Sequence, residues 1–233
     1  MRTFVIGDIH GAYRALVQVL ERASFDYAND KLICLGDVAD GWSETYECFE
    51  HLFKIKNLEY VMGNHDYWLF DWLEKGASPI IWTEQGGKAS LASYMKYSPS
   101  DWKRHKDFLA QANTYYWDKE NRMFVHAAVS KEGRDIDDVD KQFLCWDRWM
   151  WDERNNIEKI EPYKEIYVGH TSIYRFSHLP LNYGNVWFMD TGCGWEGKLP
   201  LAAFNFKTPM DIDSKKVYQS DEVKTLYPNE HGR

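Results

Sequence analysis

The sequence predicts an α/β fold. Three observations carry that expectation: short β-branched runs ended by Gly alternate with apolar helical patterns, the chain is long enough for a large core, and aromatic residues are abundant. A domain of 233 residues buries roughly 70% of the surface its unfolded chain exposes. With 44% hydrophobic and 27% charged residues, and with 11 Trp and 15 Tyr, the composition excludes disorder over most of the length.

In chain order, Thr3 to Ile6 reads as a strand, and Tyr13, Leu16, Val17, Leu20 and Ala23 mark one face of a helix. A second strand over Lys31 to Leu35 and a helix over Ser43 to Lys54 follow, then a third strand over Leu58 to Met62. This alternation predicts parallel strands joined by right-handed crossovers. Residues Tyr67 to Gln111 read as helical, with a helix start at Ser98-Pro99-Ser100-Asp101. Strands return at Thr114 to Trp117 and Met123 to His126, and a Trp-rich helix is expected over Phe143 to Arg154. Glu165 to Gly169, Asn185 to Asp190, Leu199 to Phe206 and Lys216 to Gln219 read as further strands. With no linker or repeat, one domain over residues 1–228 is expected, with a loose terminus at 229–233.

The formal charge is −8, from 28 basic and 36 acidic side chains, with no block of like charge, so nonspecific nucleic-acid binding is not expected. The four cysteines form no CxxC pair and read as free thiols; with no signal-like or membrane-length apolar run, the expectation is a cytoplasmic protein without a membrane partner.

Nearly every strand ends in a short segment bearing Asp, Asn or His: Gly7-Asp8-Ile9-His10-Gly11, Gly36-Asp37-Val38-Ala39-Asp40-Gly41, Gly63-Asn64-His65-Asp66, Val125-His126, Val168-Gly169-His170-Thr171 and Asp190-Thr191-Gly192. Taken singly, each is an ordinary turn or cap. In an open α/β sheet, however, the carboxyl ends of the strands meet in one crevice. Carboxylates, a carboxamide and imidazoles without thiolate suit Mn²⁺, Fe or Zn²⁺, and the donors outnumber the needs of one ion. Two such ions can share a carboxylate and activate water for attack on a phosphoryl group. His51, His105 and His178 lie outside these segments and read as ordinary histidines, and Trp146, Trp149 and Trp151 as packing rather than a stacking platform.

The series G-D-x-H-G, G-D-x-x-D, G-N-H-[DE], Val-His and G-H-T, in that order, resembles the calcineurin-like metallophosphoesterases, with the bacterial and phage serine/threonine phosphoprotein phosphatases and the symmetrical diadenosine tetraphosphatases as the nearest branches. The resemblance implies a four-layer α/β/β/α sandwich of two mixed sheets flanked by helices. It further implies two divalent cations, Mn²⁺ first with Fe or Zn²⁺ as alternatives, and a hydroxide bridging them as nucleophile. Asp8 and His10 would bind the first, Asp37 both, and Asn64, His126 and His170 the second. His65 would protonate the leaving oxygen, oriented by Asp40, and the carboxylate is expected to raise the imidazole pKa. Asp190 is expected to be supporting rather than ligating. The phosphatase branch carries an arginine after the second aspartate, whereas Gly41 and Trp42 stand here. Arg148 is the first candidate to contact phosphate beside Asn64, with Arg175 weaker; the ordinary reading of Arg148 is a helix ion pair with Asp152. The expected activity is phosphoprotein phosphatase, with a dinucleoside polyphosphate hydrolase as the alternative. More remote are a non-catalytic metal-containing module in which Trp42 fills the phosphate subsite, and a nucleic-acid phosphatase, for which no basic groove is evident. The expected partner is a phosphorylated protein or a nucleotide.

Overall fold

The computed structural model describes residues 1–131, 134–195 and 205–233, of which 205–209 by their backbone alone. Two five-stranded sheets face each other. The first has the order β10-β9-β1-β2-β3, from β1 (Thr3–Ile6), β2 (Lys31–Cys34), β3 (Asn57–Tyr60), β9 (Asn205–Asp211) and β10 (Lys216–Glu222). The second has the order β4-β5-β6-β8-β7, from β4 (Tyr115–Trp117), β5 (Arg122–Val125), β6 (Glu165–Val168), β7 (Leu181–Tyr183) and β8 (Val186–Phe188). β1, β2 and β3 pair in parallel, as do β5, β6 and β8, while β4, β7, β9 and β10 join antiparallel, so both sheets are mixed.

Side-chain alternation explains the layering. Phe4 and Ile6, with Leu32 and Cys34, face the helices α1 (Tyr13–Arg22) and α2 (Thr45–Leu52), whereas Val5, Ile33 and Leu35 point the other way. Across from them lie Phe124 and Tyr167, whose strand neighbours Met123, Val125, Ile166 and Val168 pack on α7 (Lys141–Trp146) and α8 (Trp149–Asp152). The order of layers is therefore helix, sheet, sheet, helix. Phe124 stacks on Tyr167 at 5.0 Å between the sheets.

The helical middle expected over Tyr67 to Gln111 is four helices, α3 (Asn64–Lys75), α4 (Ile80–Trp82), α5 (Lys88–Tyr94) and α6 (Pro99–Ala110), with a π-helical turn at Thr83–Gly87. Asp101 Oδ2 accepts from Ser98 N at 3.1 Å, the cap that the sequence signals for α6. The Trp-rich helix is broken in two, because Asp147 Oδ1 accepts from Trp149 N at 2.8 Å and Asp147 itself is extended. β7, a three-residue run Leu-Asn-Tyr, carries too short a pattern to be read in advance. Most of the strand expected over Leu199 to Phe206 lies outside the described residues.

The segment after α9 (Val223–Leu226) is docked rather than loose, against expectation. The Glu230 carboxylate accepts from Ser43 N at 3.1 Å and Ser43 Oγ at 2.7 Å, and Arg233 N donates to Gly194 O. No helix among the described residues is long and apolar enough to cross a membrane. All four cysteines are buried and free.

Phe124→Ala is expected to cost about 3–5 kcal/mol, because the pocket between two rigid sheets cannot collapse around the lost ring. Urea denaturation of the two proteins measures the difference.

Candidate functional site

The first two crossovers of the parallel strands begin with loops that double back at the carboxyl edge. The Asp66 carboxylate, on the first turn of α3, ties two of these loops together. It accepts from Asp37 N at 2.8 Å, Val38 N at 3.0 Å and Ala39 N at 3.1 Å in the loop after β2, and from Gly63 N at 3.0 Å after β3. Burial, with Asp37 nearby, pushes the Asp66 carboxyl up to about 7. A Cβ on Gly63 would overlap Asp37 Oδ1, so the loops can approach this closely only with glycine there. Four polar residues of the edge, His10, Asp37, Asp40 and His170, have φ of +49°, +48°, +72° and +63°, a left-handed backbone that Asp and His tolerate better than most residues.

These loops bring the expected ligands together. Asp8, His10 and Asp37 form one buried group of donors, and Asp37, His126 and His170 another, sharing Asp37. Asn64 Oδ1 lies 2.9 Å from His170 Nδ1 and 3.1 Å from His126 Nε2, which places Asn64 in the second group. Each imidazole is oriented by a backbone carbonyl: His10 Nδ1 to Ala39 at 3.0 Å, His126 Nδ1 to Leu35 at 2.7 Å, and His170 Nε2 to Trp146 at 3.1 Å. The opposite nitrogen then faces Asp8 and Asp37 in His10, Asp37 and Asn64 in His126, and Asn64 in His170, the usual arrangement of a metal-binding histidine.

The charge balance fits cations as well. Asp37 Oδ2 is buried without a hydrogen-bond partner, 3.4 Å from His126 Nε2 and 3.8 Å from His10 Nε2. Burial, together with Asp190 and Asp37, raises the Asp8 carboxyl well above its ordinary range. Burial opposes a charge on His126, yet Asp37 and Asp8 outweigh it and push its pKa up to about 9. The centre thus draws positive charge from its own histidine, and divalent cations bound by these donors would meet the same demand. Burial pushes His10 and His170 down, leaving them neutral as ligation requires.

His65 and Asp40 sit beside this centre. His65 Nδ1 donates to Asp40 Oδ2 at 2.6 Å, and His65 Nε2 is buried with no hydrogen-bond partner. Burial pushes the imidazole down to about 3 and the Asp40 carboxyl up, so enclosure, not the carboxylate, sets its pKa, contrary to the expected rise. The pair favours a single shared proton over two separated charges. Trp82 Nε1 donates to Asp40 Oδ2 at 2.7 Å and Ser90 Oγ to Oδ1 at 2.7 Å. Both come from the helical middle and were missed in sequence, where nothing distinguishes them from core residues.

Arg148 forms no ion pair with Asp152 among the described residues; the break before α8 turns it so that Nη1 donates to Thr171 Oγ1 at 2.9 Å, beside His170. Its charge helps to lower both His65 and His170. Arg175 lies instead along Tyr174. Asp190 Oδ1 accepts from Gly192 N at 2.8 Å, a supporting contact. Trp42 cannot fill a phosphate subsite, since it is fully buried, donates from Nε1 to Cys193 O at 2.7 Å and stacks on Tyr227. His51 and His105 are hydrogen-bonded to Tyr27 and Tyr94 and belong to neither group of donors, as expected of ordinary histidines. Asp66→Ala would strand four buried N–H donors and is expected to destabilise the chelator-treated protein by at least about 3 kcal/mol, while Asp66→Asn loses less; thermal and urea unfolding check this.

The chain is 23% identical to the symmetrical bis(5'-nucleosyl)-tetraphosphatase of Actinobacillus succinogenes, over 96% of this chain and 98% of that one. Two further relatives of the same name are matched over 25% and 46% of their lengths. A solved structure provisionally described as a diadenosine tetraphosphatase superposes with a TM-score of 0.64 at 19% identity, covering 94% of this chain and 93% of that one. A serine/threonine phosphatase of Saccharomyces cerevisiae superposes with a TM-score of 0.57 at 13% identity, covering 82% and 67%. The family model of the calcineurin-like phosphoesterases matches residues 1–209, and the chain belongs to that family of metal-dependent phosphoesterases.

Proposed function

We propose that this phosphoesterase hydrolyses dinucleoside polyphosphates. The observation that carries the reading is the match along nearly the whole chain to a protein named as a symmetrical bis(5'-nucleosyl)-tetraphosphatase. Likeness to the serine/threonine phosphatase is one of fold, and the arginine expected of that branch is lacking at Gly41, which together weaken the phosphoprotein reading formed from the sequence. Half-buried Trp68, edge-on to His65 at 5.0 Å, adds aromatic surface on which a base can lie.

In this reading Asp8, His10 and Asp37 hold one divalent cation, and Asp37, Asn64, His126 and His170 hold a second, with Mn²⁺ the first choice for a set of oxygen and imidazole donors. Such a pair of cations supplies an activated water and neutralises charge on the phosphoryl oxygens. Asn64 and Arg148 bind and orient the phosphate. Asp40 fixes the His65 ring through Nδ1, so that Nε2 is the atom turned toward the leaving oxygen; it gives a proton there once the imidazole has taken up a second one, a charge that Asp40 and a bound anionic substrate favour. Trp82 and Ser90 hold Asp40 in turn.

With Mn²⁺ added, diadenosine tetraphosphate is expected to give a higher kcat/KM than p-nitrophenyl phosphate, its bis ester or a phosphoserine peptide, with ADP as the product. A preference for the peptide would favour a phosphoprotein phosphatase instead, and no turnover of any of the four would sink the catalytic assignment. His65→Asn is expected to lower kcat by roughly 10²- to 10⁴-fold, the range for loss of a general acid. The loss should be smaller on the anhydride, whose leaving phosphate needs less protonation than an alkoxide. Comparing the two losses checks the role of His65 Nε2.

A further inference from the structure

The segment that follows α9 crosses the site beside the loop after β2. Tyr227 stacks on Trp42 with ring centroids 5.1 Å apart, and the Glu230 carboxylate holds Ser43 by its N–H and its hydroxyl. Three residues on, Arg233 N donates to Gly194 O at 2.6 Å, and its Nη1 reaches His10 Nε2 at 3.2 Å. The guanidinium also lies 5.4 Å from the centre of the Trp195 ring. This strap therefore carries a cation to the edge of the centre from the side occupied by residues 41–43. Position 41 itself offers none: Gly41 has φ +85°, and a Cβ there would meet the Cβ and carbonyl oxygen of His10, both at 3.1 Å.

We propose that Arg233 is a phosphate-binding residue of this centre, delivered by the strap to the place where position 41 has no side chain. His10 Nδ1 is committed to Ala39 O, so the Nη1–H of Arg233 donates to the Nε2 lone pair. A divalent cation that takes the same lone pair repels the guanidinium. Its backbone stays tied at Gly194 and its strap at Ser43, so the side chain moves within its own length, and an anionic phosphoryl oxygen on the same face is the partner it can reach. Its Nη1 touches His10 of the first group of ligands, and Asp40 and Asp190 both feel its charge. The ligand is a phosphate group, and that choice alone rests on the phosphohydrolase reading.

Calorimetric titration of inorganic phosphate into the Mn²⁺-loaded protein tests this. Arg233→Ala is expected to weaken phosphate binding by roughly 10- to 100-fold, the loss of a charge-assisted hydrogen bond, with the Mn²⁺ stoichiometry unchanged. Arg233→Lys should retain part of the affinity, and Glu230→Gln, which loosens the strap, should lose less than Arg233→Ala. If the parent chain binds phosphate and Arg233→Ala binds it equally well, the proposal fails while the phosphohydrolase reading stands. Tighter phosphate binding by Arg233→Ala also overturns it, because the guanidinium is then a plug. A parent chain that takes up Mn²⁺ but no phosphate overturns both.

Discussion

Five carboxyl groups, those of Asp8, Asp37, Asp40, Asp66 and Asp190, are at most 3% exposed, and each lies close enough to another to feel its charge. Buried carboxylates without compensation are among the costliest arrangements in a protein. Everything at the strand ends serves to meet that cost. Asp66 spends its oxygens on four backbone N–H groups, Asp40 on Trp82, Ser90 and His65, and Asp190 on a turn, which leaves Asp8 and Asp37 as the two that face the imidazoles of His10 and His126. The same reasoning explains how an acidic chain can work on a polyanion. Cations held by these donors would reverse the sign of the crevice while the protein as a whole remains negative.

The fold places this charge where a buried backbone can support it. Parallel strands β1, β2 and β3 release their loops at one edge, as do β5, β6 and β8 in the facing sheet, so ligands distant in sequence meet without long connections. Left-handed backbone at His10, Asp37, Asp40 and His170 is the local strain of turning side chains inward at the ends of strands. It is sustained by the packing of the inter-sheet layer around Val5, Ile33, Phe124 and Tyr167.

Much of this was legible in the sequence because it is written locally. An Asp, Asn or His just after a β-branched run shows both the strand end and the donor, and six such segments in order, five of them with Gly, marked nearly all of the centre. What stayed hidden depends on contacts between distant segments. Ser90 and Trp82 reach Asp40 from 50 and 42 residues away, and Arg233 reaches His10 from 223. The same holds for the direction of the His65 shift, since a carboxylate partner is visible as a motif and complete enclosure is not. The split of the Trp-rich helix turned on a single side chain, Asp147, whose competing hydrogen bond no helical period reveals.

The central claim is that the buried carboxylates and imidazoles are a paired cation site, and calorimetric titration of Mn²⁺ into chelator-treated protein tests it most directly. The account predicts two Mn²⁺ per chain and, because His126 must lose its proton to ligate, net proton release visible as a dependence of the heat on buffer ionisation. A chain that binds no Mn²⁺, or an Asp37→Asn variant that binds two as tightly as the parent, would contradict it.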